Sequence, residues 1–118
     1  MTESAWHTVC PTGELKDELA TEFKMDESPA FVISHKGRLH AFINRCPHLG
    51  IELNWMPGRF LDIDRSFIQC ATHGALFTLD SGFCIAGPCQ GEALFRLETR
   101  IYQGQVQVRT PEQPAPDR

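Results

Sequence analysis

Two short stretches decide how this sequence is read: Cys46-Pro47-His48-Leu49-Gly50-Ile51 and Cys70-Ala71-Thr72-His73-Gly74-Ala75. Each offers one thiolate and one imidazole, so Cys46, His48, Cys70 and His73 make a donor set of two sulfurs and two nitrogens. A cysteine and a histidine so close together on a tight turn can splay toward two different metal ions. Gly50 and Gly74 allow the backbone to turn back beneath a bound group. A single zinc ion takes the same kind of donor set. Zinc sites, however, usually pair cysteine with cysteine at one knuckle and histidine with histidine at the other. The mixed arms here point to two irons, with a structural zinc as the competing reading.

Working outward from the first stretch, Ala30 to Ser34 is β-branched and apolar, which predicts a strand. Lys36-Gly37 is a hairpin turn signal, and Leu39 to Ile43 returns as the second strand. That strand runs through Asn44-Arg45 straight into the first ligand loop. Between the loops, Trp55, Met56 and Pro57 form an apolar tip. Phe67-Ile68-Gln69 is a brief strand feeding Cys70. Beyond the second loop, Leu76-Phe77-Thr78 runs into the turn Asp80-Ser81-Gly82, and Phe83-Cys84-Ile85 returns. Both ligand loops are therefore expected at the tips of small hairpins.

Toward the N-terminus, Trp6 to Cys10 reads as a strand ended by Pro11-Thr12-Gly13. Leu15, Leu19 and Phe23 recur every four residues, a helical signal, while Glu22 to Met25 alternates as a strand does. Toward the C-terminus, Leu94 to Leu97 and Thr99 to Tyr102 are candidate strands. Gly104 turns the chain, and Val106 to Val108 closes it. Short strands at close spacing with glycine turns predict an all-β fold, a small antiparallel sandwich or barrel. The expected organisation is one domain over residues 1–109, with a cluster-binding part at about residues 45–90, and a proline-rich tail over 110–118 expected to be disordered.

Composition bounds the function. The chain has 118 residues, 42% of them hydrophobic, which suits one globular domain with a modest core. No apolar run approaches the ~20 residues that span a bilayer. Met1-Thr2-Glu3-Ser4 has neither the basic region nor the apolar stretch of a secretory leader, so a cytoplasmic location is expected. A net charge of −4 argues against nucleic acid and suits docking on a basic patch of a redox partner. Of the five cysteines, Cys10, Cys84 and Cys89 fall outside the ligand loops. They read as buried free thiols rather than a disulfide framework, with a local disulfide or second metal site at Cys84 and Cys89 as the alternative.

The pattern C-x-H…C-x2-H, standing as Cys46, His48, Cys70 and His73, resembles the Rieske family. The resemblance covers nearly the whole chain: Gly82 and Gly87-Pro88 match the family's strand turn and the proline loop over its cluster. It implies one 2Fe–2S cluster per chain, with two cysteines on one iron and two histidines on the other. It also favours a turn and then a strand, rather than a helix, for the segment around Leu15 to Phe23. With two ferric ions, two sulfides, two thiolates and neutral histidines, such a centre is close to neutral, so it accepts an electron more readily than an all-cysteine cluster. By the same implication the electron resides on the histidine-ligated iron, and His48 and His73 face outward as its exit. Leu49 would cover the cluster, and Pro47 and Pro88 would stiffen the loops around it.

Departures from the family pattern are informative. High-potential members carry cysteines at the positions of Ile51 and Thr72, joined as a disulfide. They also carry serine at the position of Ala75 and tyrosine at that of Phe77, whose hydroxyls donate to the cluster sulfurs. None of the four is present here. A midpoint toward the lower end of the roughly −150 to +300 mV family range is expected, flat with pH around neutrality. The function implied is a soluble, ferredoxin-type one-electron carrier that docks transiently between a reductase and a terminal oxygenase or reductase. Catalytic Rieske oxygenases add a large domain with a mononuclear iron, which this chain is too short to hold, so no enzyme activity is expected. The alternatives are a small electron-transfer subunit of a nitrite-reductase-like complex and an iron–sulfur redox sensor. Trp55 with Met56 could serve docking or pack the subdomain. His7, His35 and His40 are expected at the surface or in hairpins.

Overall fold

The computed structural model describes residues 6–25, 27–47, 50, 52–54, 58–72 and 74–111. His48, His73, Leu49, Ile51, Trp55, Met56, Pro57 and the tail from residue 112 lie outside that set. Nine strands follow one another among the described residues: β1 (His7–Pro11), β2 (Thr21–Met25), β3 (Ser28–His35), β4 (Arg38–Ile43), β5 (Ile68–Gln69), β6 (Leu76–Phe77), β7 (Cys84–Ala86), β8 (Arg96–Tyr102) and β9 (Gln105–Arg109). Six of them form an antiparallel sheet in the order β1-β9-β8-β4-β3-β2, which curls toward a closed barrel. The other three form a small sheet in the order β5-β6-β7. The all-β expectation holds.

Strand β3 shows how the two parts are joined. Four consecutive residues, Ala30 to Ile33, are fully buried, yet they point two ways, as successive side chains on a strand must. Ala30 and Val32 join Cys10, Met25, Ala41, Leu97, Val106 and Val108 in the core of the large sheet. Phe31 and Ile33 emerge on the other face and join Phe42, Leu53, Phe60, Ile68 and Phe77. Phe31 stacks on Phe60 with ring centroids 3.8 Å apart. The sheet therefore has its own core on one side and carries the ligand-bearing part on the other.

The hairpin at Lys36-Gly37 forms as read, pairing Ala30 with Ile43 through His35 with Arg38. The helical signal at Leu15, Leu19 and Phe23 yields a single short 3-10 turn, Thr12–Glu14, and then strand β2. Glu18 sits at φ 66°, which a continuous helix excludes, and Thr21 to Met25 pairs along β3. The two strands read at Leu94 to Leu97 and Thr99 to Tyr102 are one strand, β8, because its pairing with β9 runs unbroken from Glu98 to Tyr102. His35 and His40 lie in the hairpin but are buried rather than at the surface. His35 Nε2 bonds the Arg65 carbonyl at 2.8 Å. His7 is exposed and stacks on Phe23.

Candidate metal centre

Strand β4 ends at Ile43, and its continuation is fixed before the first ligand appears. The Asn44 amide donates to the Pro29 carbonyl at 2.8 Å. The Asn44 side chain is almost fully buried and acts as a bracket: its Oδ1 accepts from the Leu53 amide at 2.7 Å, and its Nδ2 donates to Asn54 Oδ1 at 2.9 Å. One side chain thus ties the residue entering the first loop to the residues leaving it. The second loop is the tip of the β5–β6 hairpin, closed by Cys70 N to Ala75 O at 2.9 Å. The first loop is not a hairpin tip among the described residues. It returns through irregular chain to a single bridge between Leu61 and Ile68.

The two loops share one construction. In the first, the Gly50 amide donates to the Cys46 carbonyl at 2.7 Å, and in the second, the Gly74 amide donates to the Cys70 carbonyl at 2.8 Å. Both glycines adopt left-handed backbone, φ 73° and 74°, which residues with a Cβ adopt at a cost. Each cysteine therefore begins a turn closed by a glycine four residues later. The loops are stitched together by the Ala71 amide donating to the Leu53 carbonyl at 2.7 Å. Cys46 and Cys70 are both fully buried, belong to one packed cluster with Ala75, Cys84 and Cys89, and form no disulfide. His48 and His73, the other two residues of the predicted set, lie outside the described residues.

A third segment lies against this pair. Gly87, at φ 99°, approaches Ala75 so closely that a Cβ on it would stand 2.7 Å from the Ala75 Cα. The loop after β7 is thereby pressed onto the second ligand loop. It brings Cys89 to Cys84, with the sulfurs 3.3 Å apart, while the Cys84 thiol donates to the Ala86 carbonyl at 3.2 Å. Burial and the neighbouring Cys84 and Cys46 thiols push the Cys89 thiol up to about 12. Cys84 and Cys89 are buried free thiols, as read, and among the described residues no three cysteine, histidine or carboxylate side chains stand together as a metal cage. The sequence reading missed the Asn44 bracket and the closeness of Cys89 to Cys46. An asparagine at the junction of a strand and a ligand loop was the available signal for the first. For the second, the signal was a cysteine just after Gly87-Pro88.

Two buried soft donors at the mouths of matched turns, with a glycine cradle beside them, suit a sulfur-ligated iron cluster. A family model of the Rieske [2Fe-2S] domain matches residues 5–110. The chain belongs to this family. A Rieske domain binds one 2Fe–2S cluster, and electron transfer is the function that goes with it.

Other comparisons agree on the fold. Cholesterol 7-desaturase of Caenorhabditis elegans is 27% identical over 86 residues, which are 72% of this chain and 19% of that protein. The chain is similar in structure to one in the reduced complex between oxygenase and ferredoxin in carbazole 1,9a-dioxygenase, with a TM-score of 0.83 and 18% identity over 98% of this chain and 30% of the other. The ferredoxin of carbazole 1,9a-dioxygenase from Nocardioides aromaticivorans IC177 gives a TM-score of 0.73 and 20% identity, covering 91% of this chain and 97% of that one. Among the described residues, no helix is long and apolar enough to cross a membrane.

Proposed function

We propose that Cys46, His48, Cys70 and His73 hold the 2Fe–2S cluster, and that this Rieske domain works as a ferredoxin-type one-electron carrier. When bound, such a cluster accepts and returns a single electron. The observation that carries the reading is the matched pair of turns, Cys46 to Gly50 and Cys70 to Gly74, which buries both cysteines in one packed cluster. Cys46 and Cys70 would supply the sulfur ligands of one iron, and His48 and His73 the nitrogen ligands of the other. Asn44 and the Ala71–Leu53 bond hold the two arms in register.

The partners we infer are a reductase and a terminal oxygenase or reductase, met transiently through an interface of less than about 1,200 Å². One solved structure that this chain resembles is a complex between oxygenase and ferredoxin, and another is a ferredoxin, which supports that choice. We place the protein in the cytoplasm, with one domain over residues 1–109, and read it as a carrier without catalysis of its own. Reduced protein mixed anaerobically with an excess of ferricyanide should give up one electron per chain. It should also show no substrate-dependent dioxygen uptake. A discharge of two electrons per chain, or dioxygen uptake coupled to an organic substrate, would contradict the carrier reading.

A second reading has its own support. The chain spans 30% of an oxygenase-complex chain and 19% of the desaturase, so the same domain could be the electron-entry part of a larger oxygenase. In that case it would remain attached to a second domain when isolated from its native source at full length. A carrier would be found alone.

A further inference from the structure

A cavity of about 430 Å³ opens between the β3–β4 hairpin and the turn that joins β6 to β7. That volume falls in the usual range for small-molecule sites, which pair an apolar lining with a few placed polar groups. Neither Cys46 nor Cys70 lines it. Phe67 and Leu79 give it an apolar wall, and Lys36 and Arg38, both exposed, bring two positive charges to it. Neither of those two side chains makes a hydrogen bond or ion pair with a described residue. Asp80, on the opposite turn, supplies one negative charge. With a neutral histidine the cavity carries a net charge of about +1, which suits a monoanion better than a dianion.

His40 also lines the cavity and is only 7% exposed. Its Nδ1 is sealed from solvent without a hydrogen-bond partner among the described residues, whereas Nε2 is not among the sealed atoms. Burial chiefly, then His35, Arg96 and Arg38, lower its pKa from 6.5 against the opposing Asp80, so the ring is neutral at neutral pH. A neutral imidazole holds one N–H and one lone pair. A sealed N–H with no acceptor is the rarer orphan in folded proteins, so the ring proton belongs on Nε2. The neighbouring polar groups are already engaged. His35 Nε2 bonds the Arg65 carbonyl, Thr78 bonds Ser81, and Ser66 Oγ donates to the Asp64 carbonyl. His40, Lys36 and Arg38 are the donors left over.

We propose that this cavity is a binding site for a small monocarboxylate with an apolar, ring-sized body. Its carboxylate oxygens accept from the His40 ring and from Lys36 or Arg38, and its apolar part rests on Phe67 and Leu79. Hydrogen bonds of this kind, to an ionised acceptor, are about twice as strong as neutral ones. The ligand would bridge the two parts of the fold, since β4 belongs to the large sheet and Leu79 packs in the core beneath the ligand-bearing part. The site involves no electron transfer and stands apart from the carrier reading.

The test is an NMR titration of the oxidised, cluster-loaded protein at fixed pH and ionic strength, following the His40 imidazole and the amides of Lys36, Arg38 and Phe67. The probes are benzoate, acetate, benzyl alcohol and inorganic phosphate. Benzoate should give one saturable set of shifts confined to these residues. Acetate, which lacks the ring, should bind about tenfold more weakly, and so should benzyl alcohol, which lacks the charge. Arg38→Ala changes an exposed side chain and should weaken benzoate about tenfold while leaving the amide spectrum elsewhere and the visible cluster bands unchanged. Benzoate shifts that never saturate would overturn the proposal. Phosphate or acetate binding as tightly as benzoate would do the same, as would an equal benzoate affinity in a folded Arg38→Ala.

Discussion

Gly87 and Ala75 touch backbone to backbone: a Cβ on the glycine would lie 2.7 Å from the Ala75 Cα and 3.0 Å from its Cβ. The atoms it would strike are main chain and the stub of a fully buried residue, which have no rotamer to escape into. Gly87 also sits at φ 99°, where any residue with a Cβ is strained. Gly87→Ala is therefore expected to cost about 1–3 kcal/mol of stability and to lift the loop away from the second ligand turn. Chemical denaturation checks the first effect. Faster bleaching of the visible iron–sulfur bands in air checks the second.

Asn44 is expected to behave as the keystone of the first loop. Asn44→Ala removes the acceptor of the buried Leu53 amide and the donor to Asn54 at once. An unsatisfied buried amide costs about 1–3 kcal/mol. Because Leu53 also receives the stitch from Ala71, hydrogen exchange should quicken at Leu53 and Ala71 together. Loss of protection at Leu53 alone would mean that the two arms are not coupled through this residue.

Adding the missing hydroxyls should raise the potential. Ala75 and Phe77 lie at the end of the second ligand loop and on β6, both fully buried. Ala75→Ser and Phe77→Tyr each place an O–H donor where high-potential relatives carry one. Each is expected to strengthen electron uptake by about tenfold, or about 59 mV for one electron, as read by redox titration. An unchanged or lower midpoint in both would remove the basis for calling the parent centre low-potential.

His40 should make the fold acid-sensitive. Its pKa is lowered from 6.5, chiefly by burial and further by His35, Arg96 and Arg38, with Asp80 opposing. Its Nδ1 finds no hydrogen-bond partner among the described residues. A histidine with a depressed folded pKa binds its proton more readily when unfolded, so it leaves stability intact above 6.5 and reduces it as pH falls from there. Denaturation midpoints should drop between pH 7.5 and pH 5.5, and His40→Gln should flatten that drop. NMR titration should show the imidazole still neutral below pH 6.5.

Much of this was legible in the sequence because the signals are local. Lys36-Gly37 marks a hairpin whatever surrounds it. The repeated spacing from Cys46 to Gly50 and from Cys70 to Gly74 is visible in the chain, and the structure gives both glycines the same backbone and the same bond. What could not be read is what depends on long-range packing. The burial of His35 and His40 follows from the ligand-bearing part covering the outer face of β3 and β4, and no window of sequence contains both. The period-four apolar signal at Leu15, Leu19 and Phe23 lost to edge pairing along β3. The merging of two expected strands into β8 reflects its continuous pairing with β9. The positions of His48 and His73, on which the ligand set depends, fall outside the described residues.

The central claim is that two irons are held by Cys46, His48, Cys70 and His73. The direct test is pulsed EPR on the dithionite-reduced protein labelled with 15N-histidine, together with iron and sulfide analysis. The account predicts two irons and two sulfides per chain, a rhombic signal coupled to two histidine nitrogens, and one coupling lost in each of His48→Ala and His73→Ala that retains a cluster. A colourless protein with stoichiometric zinc, or a signal with no histidine nitrogen coupling, would contradict it.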